Sequence, residues 1–198
     1  METRIVLTML LATGLGSSVA SANTEIAVPA DHPTVAAALA AAAPGDLITI
    51  AAGTHVEHDI DPQGKAVTIQ GVIASDGTLA TTLDAQGNGS GFLLQTNETN
   101  DTIIRYLRIT GGSGHLTSPI RSGGGFFIDE ASPTILGCEI VGNSATDLGG
   151  GIAAVGSHPR IIDCTISGNT SETGGGIYLN RSTVFLGSTT ICGNSSDQ

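Results

Sequence analysis

The densest group of side chains able to do chemistry lies between residues 55 and 61. It contains His55, Glu57, His58, Asp59 and Asp61, and all of these except His58 fall on alternate positions. Alternate side chains of a strand share one face, so these four could meet a divalent cation such as Ca²⁺. Their spacing matches no standard metal motif, however. We therefore expect no cofactor, and we interpret the group as the polar rim of a turn.

Two further pairs of charged residues have side chains of the kinds that polysaccharide-cleaving enzymes use. Arg160 and Asp163 combine a base with a ligand for a cation, as an elimination beside a uronate carboxylate requires. Asp129 and Glu130 are two carboxylates, as a glycosidase requires. Adjacent strand residues face opposite sides, and exposed charge pairs usually contribute little. These four residues are therefore candidates only, and the sequence assigns no catalytic residue.

The composition indicates one domain and excludes one class of partner. The chain has 198 residues, of which 28 are glycine, 40% are apolar and 13% are charged. That is enough apolar material for a single core. The formal net charge of −11 repels a phosphate backbone, so we expect no nucleic acid as a partner.

The amino-terminal segment has the features of a signal peptide. Arg4 precedes an apolar stretch from residue 5 to 16 that is too short to span a bilayer, and Ala20-Ser21-Ala22 fits signal peptidase. We predict a signal peptide over 1–22 and no membrane span after its cleavage. The expected location is therefore secreted, periplasmic or at the cell surface.

A repeat dominates the second half of the chain. Gly-Gly-Gly begins at positions 123, 149 and 174, so the unit recurs at a nearly constant interval. Other apolar residues keep the same register: Phe126, Ile152 and Ile177; Ile135, Ile161 and Leu186; Ile140, Ile166 and Ile191. Apolar and polar residues alternate within each short segment, as in strands. Three strands per unit cannot bury their own apolar face, so the units must stack.

This pattern predicts an all-β fold, a parallel β-helix of about six coils with roughly 25 residues each. The coils extend over 47–198, after a capping segment over 23–46 that contains a helix over 33–43. The interval between Leu107 and Cys138 is longer than the later repeat. We therefore expect a short insertion between Gly112 and Arg121.

Stacking turns two repeated residue types into structural columns. We expect Asn143, Asn169 and Asn194 to form a ladder at a bend, because asparagine tolerates left-handed backbone and its amide can bond the next coil. We expect Cys138 and Cys164 to stack inside the core as small apolar residues. No cysteine pair or histidine has zinc-site spacing.

The carboxyl-terminal coil has no capping segment in this sequence. Either further coils follow in a longer protein, or the coil docks on another chain. Cys192 is expected to face outward on this coil, and we hypothesise that it is available for an intermolecular disulfide.

Two stretches resemble known proteins. The residues from His32 to Gly71, with Pro44-Gly45-Asp46 and Gly53-Thr54-His55-Val56-Glu57, resemble the entry segment of pectate-lyase-like right-handed parallel β-helix proteins. The Gly-Gly-Gly-Ile and Ile-x-Gly-Asn units are similar to repeats of polymorphic outer membrane proteins. The resemblance implies a right-handed coil. It also implies a choice of activities, because the fold carries lyases, hydrolases, esterases and adhesins.

The catalytic patterns of the family are incomplete here. Gly114-His115-Leu116 lacks the second glycine of the polygalacturonase Gly-His-Gly, and Gly125 to Asp129 only partly matches an esterase segment. We therefore expect an exported non-catalytic β-helix, a surface, structural or carbohydrate-contacting module that meets polysaccharide or another protein chain. The alternative is a polysaccharide lyase or glycoside hydrolase.

Overall fold

A computed structural model describes residues 23–117 and 119–197, so the predicted signal peptide lies outside the described residues. Its elements follow in chain order: β1 (Glu25–Val28), α1 (Val35–Ala41), β2 (Leu47–Ile50), β3 (Gly53–Val56), β4 (Thr68–Gln70), β5 (Thr81–Asp84), β6 (Phe92–Leu94), β7 (Ile103–Arg105), β8 (Arg108–Thr110), β9 (His115–Thr117), β10 (Ile120–Ser122), β11 (Phe126–Asp129), β12 (Thr134–Leu136), β13 (Glu139–Val141), β14 (Ile152–Val155), β15 (Arg160–Ile162), β16 (Thr165–Ser167), β17 (Thr170–Ser171), β18 (Ile177–Asn180), β19 (Phe185–Gly187), β20 (Thr190–Cys192) and β21 (Ser195–Ser196).

The strands form a parallel β-solenoid of about seven turns with three long sheets. Sheet A contains β1, β2, β4, β7, β12, β15 and β19; sheet B contains β3, β5, β8, β13, β16 and β20; sheet C contains β6, β11, β14 and β18. The predicted fold class is confirmed, with one turn more than the six expected. The added turn is β1, which pairs with β2 in parallel, so the strand Glu25–Val28 belongs to the stack.

The repeat register derived from the sequence is confirmed strand by strand. Phe126 pairs with Ile152 and Ile152 with Ile177 in sheet C. The corresponding apolar columns pair in sheets A and B. Except for Leu186 and Ile191 on the last described coil, which are exposed, their side chains line one continuous core. The rings of Phe92 and Phe126 stack in this core with centroids 5.0 Å apart.

The glycine triplets allow the coils to approach closely at one corner. The first glycine of each triplet has a positive φ, for example +63° at Gly149. A Cβ added to the second glycine, Gly150, would lie 2.2 Å from the carbonyl oxygen of Thr170. A Cβ added to the third, Gly151, would lie 2.5 Å from the carbonyl oxygen of Gly176. Only glycine, which has no Cβ, fits these positions without moving the backbone.

The helix is shorter than the predicted 33–43. It begins after Thr34, whose side-chain oxygen accepts a hydrogen bond from the N–H of Ala37 at 3.1 Å. Pro33 therefore precedes the cap instead of starting the helix. Val35, Ala38 and Leu39 are buried against the first strands of sheet A. Among the described residues, no helix has the length and apolar character to cross a membrane.

The predicted insertion between Gly112 and Arg121 contains an antiparallel hairpin. Its strands, β9 and β10, leave the stack where sheet B leads into sheet C. Ser122 at its end bridges to Leu148 in parallel, which returns the chain to the solenoid.

Candidate functional site: a polar groove at one corner of the solenoid

Each turn of the solenoid has three corners, which we name A–B, B–C and C–A after the sheets that they connect. Two cavities lie at the B–C corner. The first has a volume of about 550 Å³ and the second about 300 Å³. Both are lined by Ala145 and Thr146, so they form one groove along the solenoid axis. We call it the corner groove.

The lining of the corner groove is small and polar. Its residues are Gly87, Asn88, Gly89, Ser113, Arg121, Ser144, Ala145, Thr146, Thr170, Ser171, Glu172, Ser195 and Asp197. They come from successive coils, about 4.8 Å apart. The groove therefore presents hydroxyl groups on several successive coils, with the cation Arg121 in the first cavity and the carboxylates of Glu172 and Asp197 in the second.

Arg121 is positioned by the inserted hairpin. Its guanidinium donates to the carbonyl oxygen of Gly114 at 3.2 Å, across the hairpin. Its backbone N–H donates to Asp147 at 2.8 Å, on the next coil. These two bonds hold the charged strand β10 against the groove.

The asparagine ladder supports the corner groove from beneath. The side-chain oxygen of Asn143 accepts the N–H of Gly112 at 3.0 Å, and the oxygen of Asn194 accepts the N–H of Asn169 at 3.0 Å. The sequence predicts left-handed backbone at the asparagines, but the glycines before them have it instead. Gly142 and Gly168 have φ of +65° and +64°.

The same two-residue arrangement occurs at the other two corners. At the A–B corner, Gly137 and Asp163 have φ of +59° and +53° and precede Cys138 and Cys164. The sulfur of Cys164 accepts the N–H of Cys138 at 3.4 Å, so both cysteines are ladder residues as well as core residues. Burial raises the pKa of the Cys138 thiol. Both are free thiols.

At the C–A corner the ladder is built from serines, which are not among the columns predicted from the sequence. The Oγ of Ser157 accepts the N–H of Ala131 at 3.2 Å, and the Oγ of Ser182 accepts the N–H of Ser157 at 2.9 Å. Glu130 and Gly156 precede this ladder with φ of +50° and +56°. The two serines are separated by one repeat of the sequence, and this spacing could have indicated that they stack.

This corner arrangement explains two of the four catalytic candidates. Glu130 and Asp163 are exposed and occupy left-handed corner positions, where glycine stands in a neighbouring coil. Asp129 is half-buried and ends β11 opposite Val155. Neither Glu130 nor Asp129 lines the corner groove.

The structure does not bring Arg160 and Asp163 together as a site. Arg160 begins β15, and its guanidinium carbon lies 5.2 Å from the ring centroid of Phe185. Asp163 follows the other end of the same strand, where its N–H donates to Gly187 at 2.8 Å. The two side chains thus belong to different corners.

The four metal-ligand candidates are dispersed, because strand β3 ends at Val56. The ring of His55 bonds the carbonyl oxygen of Ala51 at 2.9 Å. The carboxylate of Glu57 instead accepts the N–H groups of Val35 and Ala36 at 2.7 and 3.1 Å, at the start of α1. Glu57 therefore holds the helix on the solenoid.

The two aspartates of the group also have separate roles. Asp59 has a φ of +50° and accepts the N–H of Ser90 at 2.9 Å. Asp61 accepts the N–H of Gln63, and its pKa is raised chiefly by burial and also by the nearby charge of Glu98. Within 23–117 and 119–197, no three histidine, cysteine or acidic residues are placed to hold a metal ion.

One member of the ionisable cluster around Asp59, His115, was not expected from the sequence. The Nδ1 of His58 lies 3.1 Å from one oxygen of Asp59, and the Nδ1 of His115 lies 3.9 Å from the other. The ring of His115 also packs against Phe127. His115 belongs to the inserted hairpin, so no repeat spacing relates it to His58.

Comparison with known proteins adds no relative to this description. No family model, no curated protein and no solved structure matches the chain.

Proposed function

We propose that this protein is an exported β-solenoid that contacts a polysaccharide through the corner groove without cleaving it. The observation that carries this proposal is the continuity of the groove along the axis at Ala145 and Thr146. A linear polymer repeats its hydroxyl groups along its length, and the groove repeats hydrogen-bonding groups coil by coil. Each such bond contributes only about 1 kcal/mol, so affinity must come from several coils together.

The roles of the charged candidates also support a binding module. Glu130 and Asp163 occupy corner positions, and Glu57 caps the helix. A structural role accounts for each of them without a reaction. On this basis we propose no cofactor. The predicted signal peptide over 1–22 supports a location outside the cytoplasm, at the cell surface, in the periplasm or secreted.

The family is part of the same proposal. A parallel solenoid with a helix beside its first strands is consistent with a pectate-lyase-like β-helix protein, and the stacked Gly-Gly-Gly-Ile units with a polymorphic outer membrane protein repeat.

Binding to a panel of neutral and acidic polysaccharides, with and without Ca²⁺, tests the proposal. We expect calorimetry to detect binding to at least one polymer, and we expect no new reducing or unsaturated ends. Thr146→Arg places a long side chain where the two cavities join, and should weaken binding at least tenfold. Thr54→Arg is the control, since Thr54 is exposed on β3 away from the groove.

Two results would contradict the proposal. One is an affinity that Thr146→Arg leaves unchanged, since the groove would then not be the binding surface. The other is the release of new chain ends by the purified protein.

The second candidate function is a polysaccharide lyase or hydrolase. The pairing of His58 with Asp59 favours it, because a carboxylate that orients an imidazole is a general-base arrangement. If new chain ends appear, His58→Ala should abolish them. His158→Ala is the matched control, because His158 is an exposed histidine at the C–A corner.

A further inference from the structure

An exposed turn follows strand β5 and lines the first cavity of the corner groove. It contains the sequence Asn88-Gly89, and the side chain of Asn88 is exposed together with Gln86 and Gly87. A Cβ added to Gly87 would meet no atom of the described residues within 4 Å. Water therefore has free access to the Asn88 side chain.

The hydrogen bonds of the Asn88 amide are confined to this turn. Its nitrogen donates to the carbonyl oxygens of Ala85 and Gln86 at 3.1 and 3.4 Å. The next backbone N–H, that of Gly89, donates to no group within 23–117 and 119–197. A backbone N–H that is held in a hydrogen bond must break it before it can react, and this one need not.

We propose that Asn88 is a site of deamidation, which places a new carboxylate in the corner groove. The backbone nitrogen of Gly89 bonds to Cγ of Asn88 and gives up its proton, while the side-chain nitrogen leaves as ammonia. Water then opens the cyclic imide at either of its two carbonyl carbons. The products are aspartate and isoaspartate, in which the main chain runs through the side-chain carbons. No atom is oxidised or reduced.

The fold requires the glycine that makes this reaction easy. A Cβ added to Gly89 would lie 2.3 Å from a carboxylate oxygen of Asp59, which itself accepts the N–H of Ser90 at 2.9 Å. The carbonyl oxygen of Gly89 accepts the N–H groups of Ser113 and Gly114 at 2.8 and 2.9 Å. A side chain at position 89 would shield the backbone nitrogen, but the position cannot carry one without displacing Asp59.

Other asparagines differ from Asn88 in burial or in the residue that follows. Asn143 and Asn169 are buried, and their amides are bonded to neighbouring coils. Asn97 and Asn100 are exposed, but glutamate follows the first and aspartate the second. The side chain of each following residue hinders attack by its backbone nitrogen. These four asparagines are therefore internal references for the rate at Asn88.

The exposed pair Asp76-Gly77 provides a further comparison. Its cyclisation expels water instead of ammonia and requires a protonated carboxyl. The hydrogen bonds from Thr78, the one from its hydroxyl most, lower the pKa of the Asp76 carboxyl. This carboxyl is therefore ionised at neutral pH, and we expect Asn88 to react first.

Deamidation changes the charge of the corner groove. Asn88 and Arg121 line the same cavity. A new carboxyl at position 88 is ionised at neutral pH, so it offsets the positive charge of Arg121. The modification does not depend on the proposed function, because it needs only water and the chain itself.

Incubation of the purified protein at pH 8, followed by mass spectrometry of its peptides, tests the inference. We expect position 88 to gain the mass that separates an acid from an amide at least tenfold faster than positions 97 and 100. Ion-exchange chromatography should show a matching acidic form. Asn88→Gln is the matched control, because glutamine keeps the amide but must close a larger ring. The acidic form should not appear in this variant.

A second measurement asks whether the fold leaves the site open. A synthetic peptide with the sequence of residues 84–92 gives the rate without the fold. A rate in the folded protein within tenfold of the peptide rate supports the inference, and a slower one overturns it. Equal rates at positions 88, 97 and 100 also overturn it, as does an acidic form that persists in Asn88→Gln.

Discussion

The side-chain oxygen of Asn169 accepts two hydrogen bonds from Asn143, one from its backbone N–H at 2.9 Å and one from its amide at 3.1 Å. Asn169 in turn donates to the carbonyl oxygen of Ile140 at 2.9 Å, and all three residues are buried. Asn169→Ala leaves a donor and an acceptor without partners. Because each costs about 1–3 kcal/mol, we expect urea denaturation to show a loss of about 3 kcal/mol.

The position of Asn194 in the same ladder provides a control. Asn194 is only half-buried, on the last described coil. Asn194→Ala should therefore cost about 1 kcal/mol, since water can replace part of its bonding. Equal losses for the two variants would show that the ladder does not stabilise the interior coils in the way described.

A second prediction concerns the middle glycine of a triplet. Gly150→Ala places a Cβ 2.2 Å from the carbonyl oxygen of Thr170, and this backbone atom cannot move away without separating two coils. We expect a loss of about 4 kcal/mol or failure to fold, as for other severe steric changes. The measurement is the urea midpoint of the purified variant.

Gly168→Ala is the matched control for Gly150→Ala. Gly168 has a φ of +64°, and a Cβ there would come no nearer than 3.9 Å to another atom. The cost should be the left-handed strain alone, about 1–2 kcal/mol. A Gly150→Ala protein as stable as Gly168→Ala would contradict the close approach of the coils.

The solenoid could be predicted from the sequence because, when coils stack, residues that recur at the repeat interval come into contact. Residues one repeat apart lie directly above one another, so Ile140, Ile166 and Ile191 identify one core column. The extra turn could not be predicted in this way, because β1 precedes the helix and lies outside the regular repeat. It pairs with the strand from Leu47 to Ile50, which follows the helix in the sequence.

The candidate site could be predicted only in part, for a related reason. The asparagine ladder is periodic, so its spacing reveals it. The corner groove is periodic in part, since Ser144, Thr170 and Ser195 of its lining lie one repeat apart, but its cation comes from the irregular hairpin. Likewise, Glu57 caps α1 from beyond β2 and β3, and Asp59 meets His115 of the hairpin. Contacts of this kind have no repeat, so spacing alone could not indicate them.

A third prediction treats Cys164 as a ladder residue. Its sulfur accepts the N–H of Cys138, and Thr189 fills the same position one coil later. Cys164→Ser keeps an acceptor and should cost less than about 1 kcal/mol. Cys164→Ala removes it and should cost about 2 kcal/mol, by leaving a buried N–H unpaired. Thermal melts under reducing conditions compare the two, and the reverse order would refute the ladder role.

A fourth prediction concerns the dependence of stability on pH. Asp46 accepts the N–H groups of Thr24 and Ala43, both at 2.8 Å. These bonds, the one from Thr24 most, lower the pKa of the carboxyl from its ordinary value of 3.8. Since the folded pKa lies below the unfolded one, the stabilisation is complete above the ordinary pKa and is lost as pH falls towards the folded pKa.

Asp46→Asn tests this directly. The variant should be less stable than the parent at pH 7, and its free energy of unfolding should fall less steeply between pH 5 and pH 2. Asp101→Asn is the comparison, because Asp101 is an exposed acid in a turn of the C–A corner. Parallel pH profiles for the parent and Asp46→Asn would show that the Asp46 hydrogen bonds carry no such linkage.

The last prediction separates a structural role of Glu130 from a catalytic one. Glu130 has a φ of +50° at a corner where Gly156 occupies the next coil. Glu130→Gly removes the Cβ that makes this backbone unfavourable and should stabilise the protein by about 0.5–1 kcal/mol. Glu130→Ala removes the carboxylate but keeps the Cβ, so it should leave stability nearly unchanged. Polysaccharide binding should be the same in both variants and in the parent. A carboxylate that acts on a substrate would instead give equal functional losses in the two variants, whatever their stabilities.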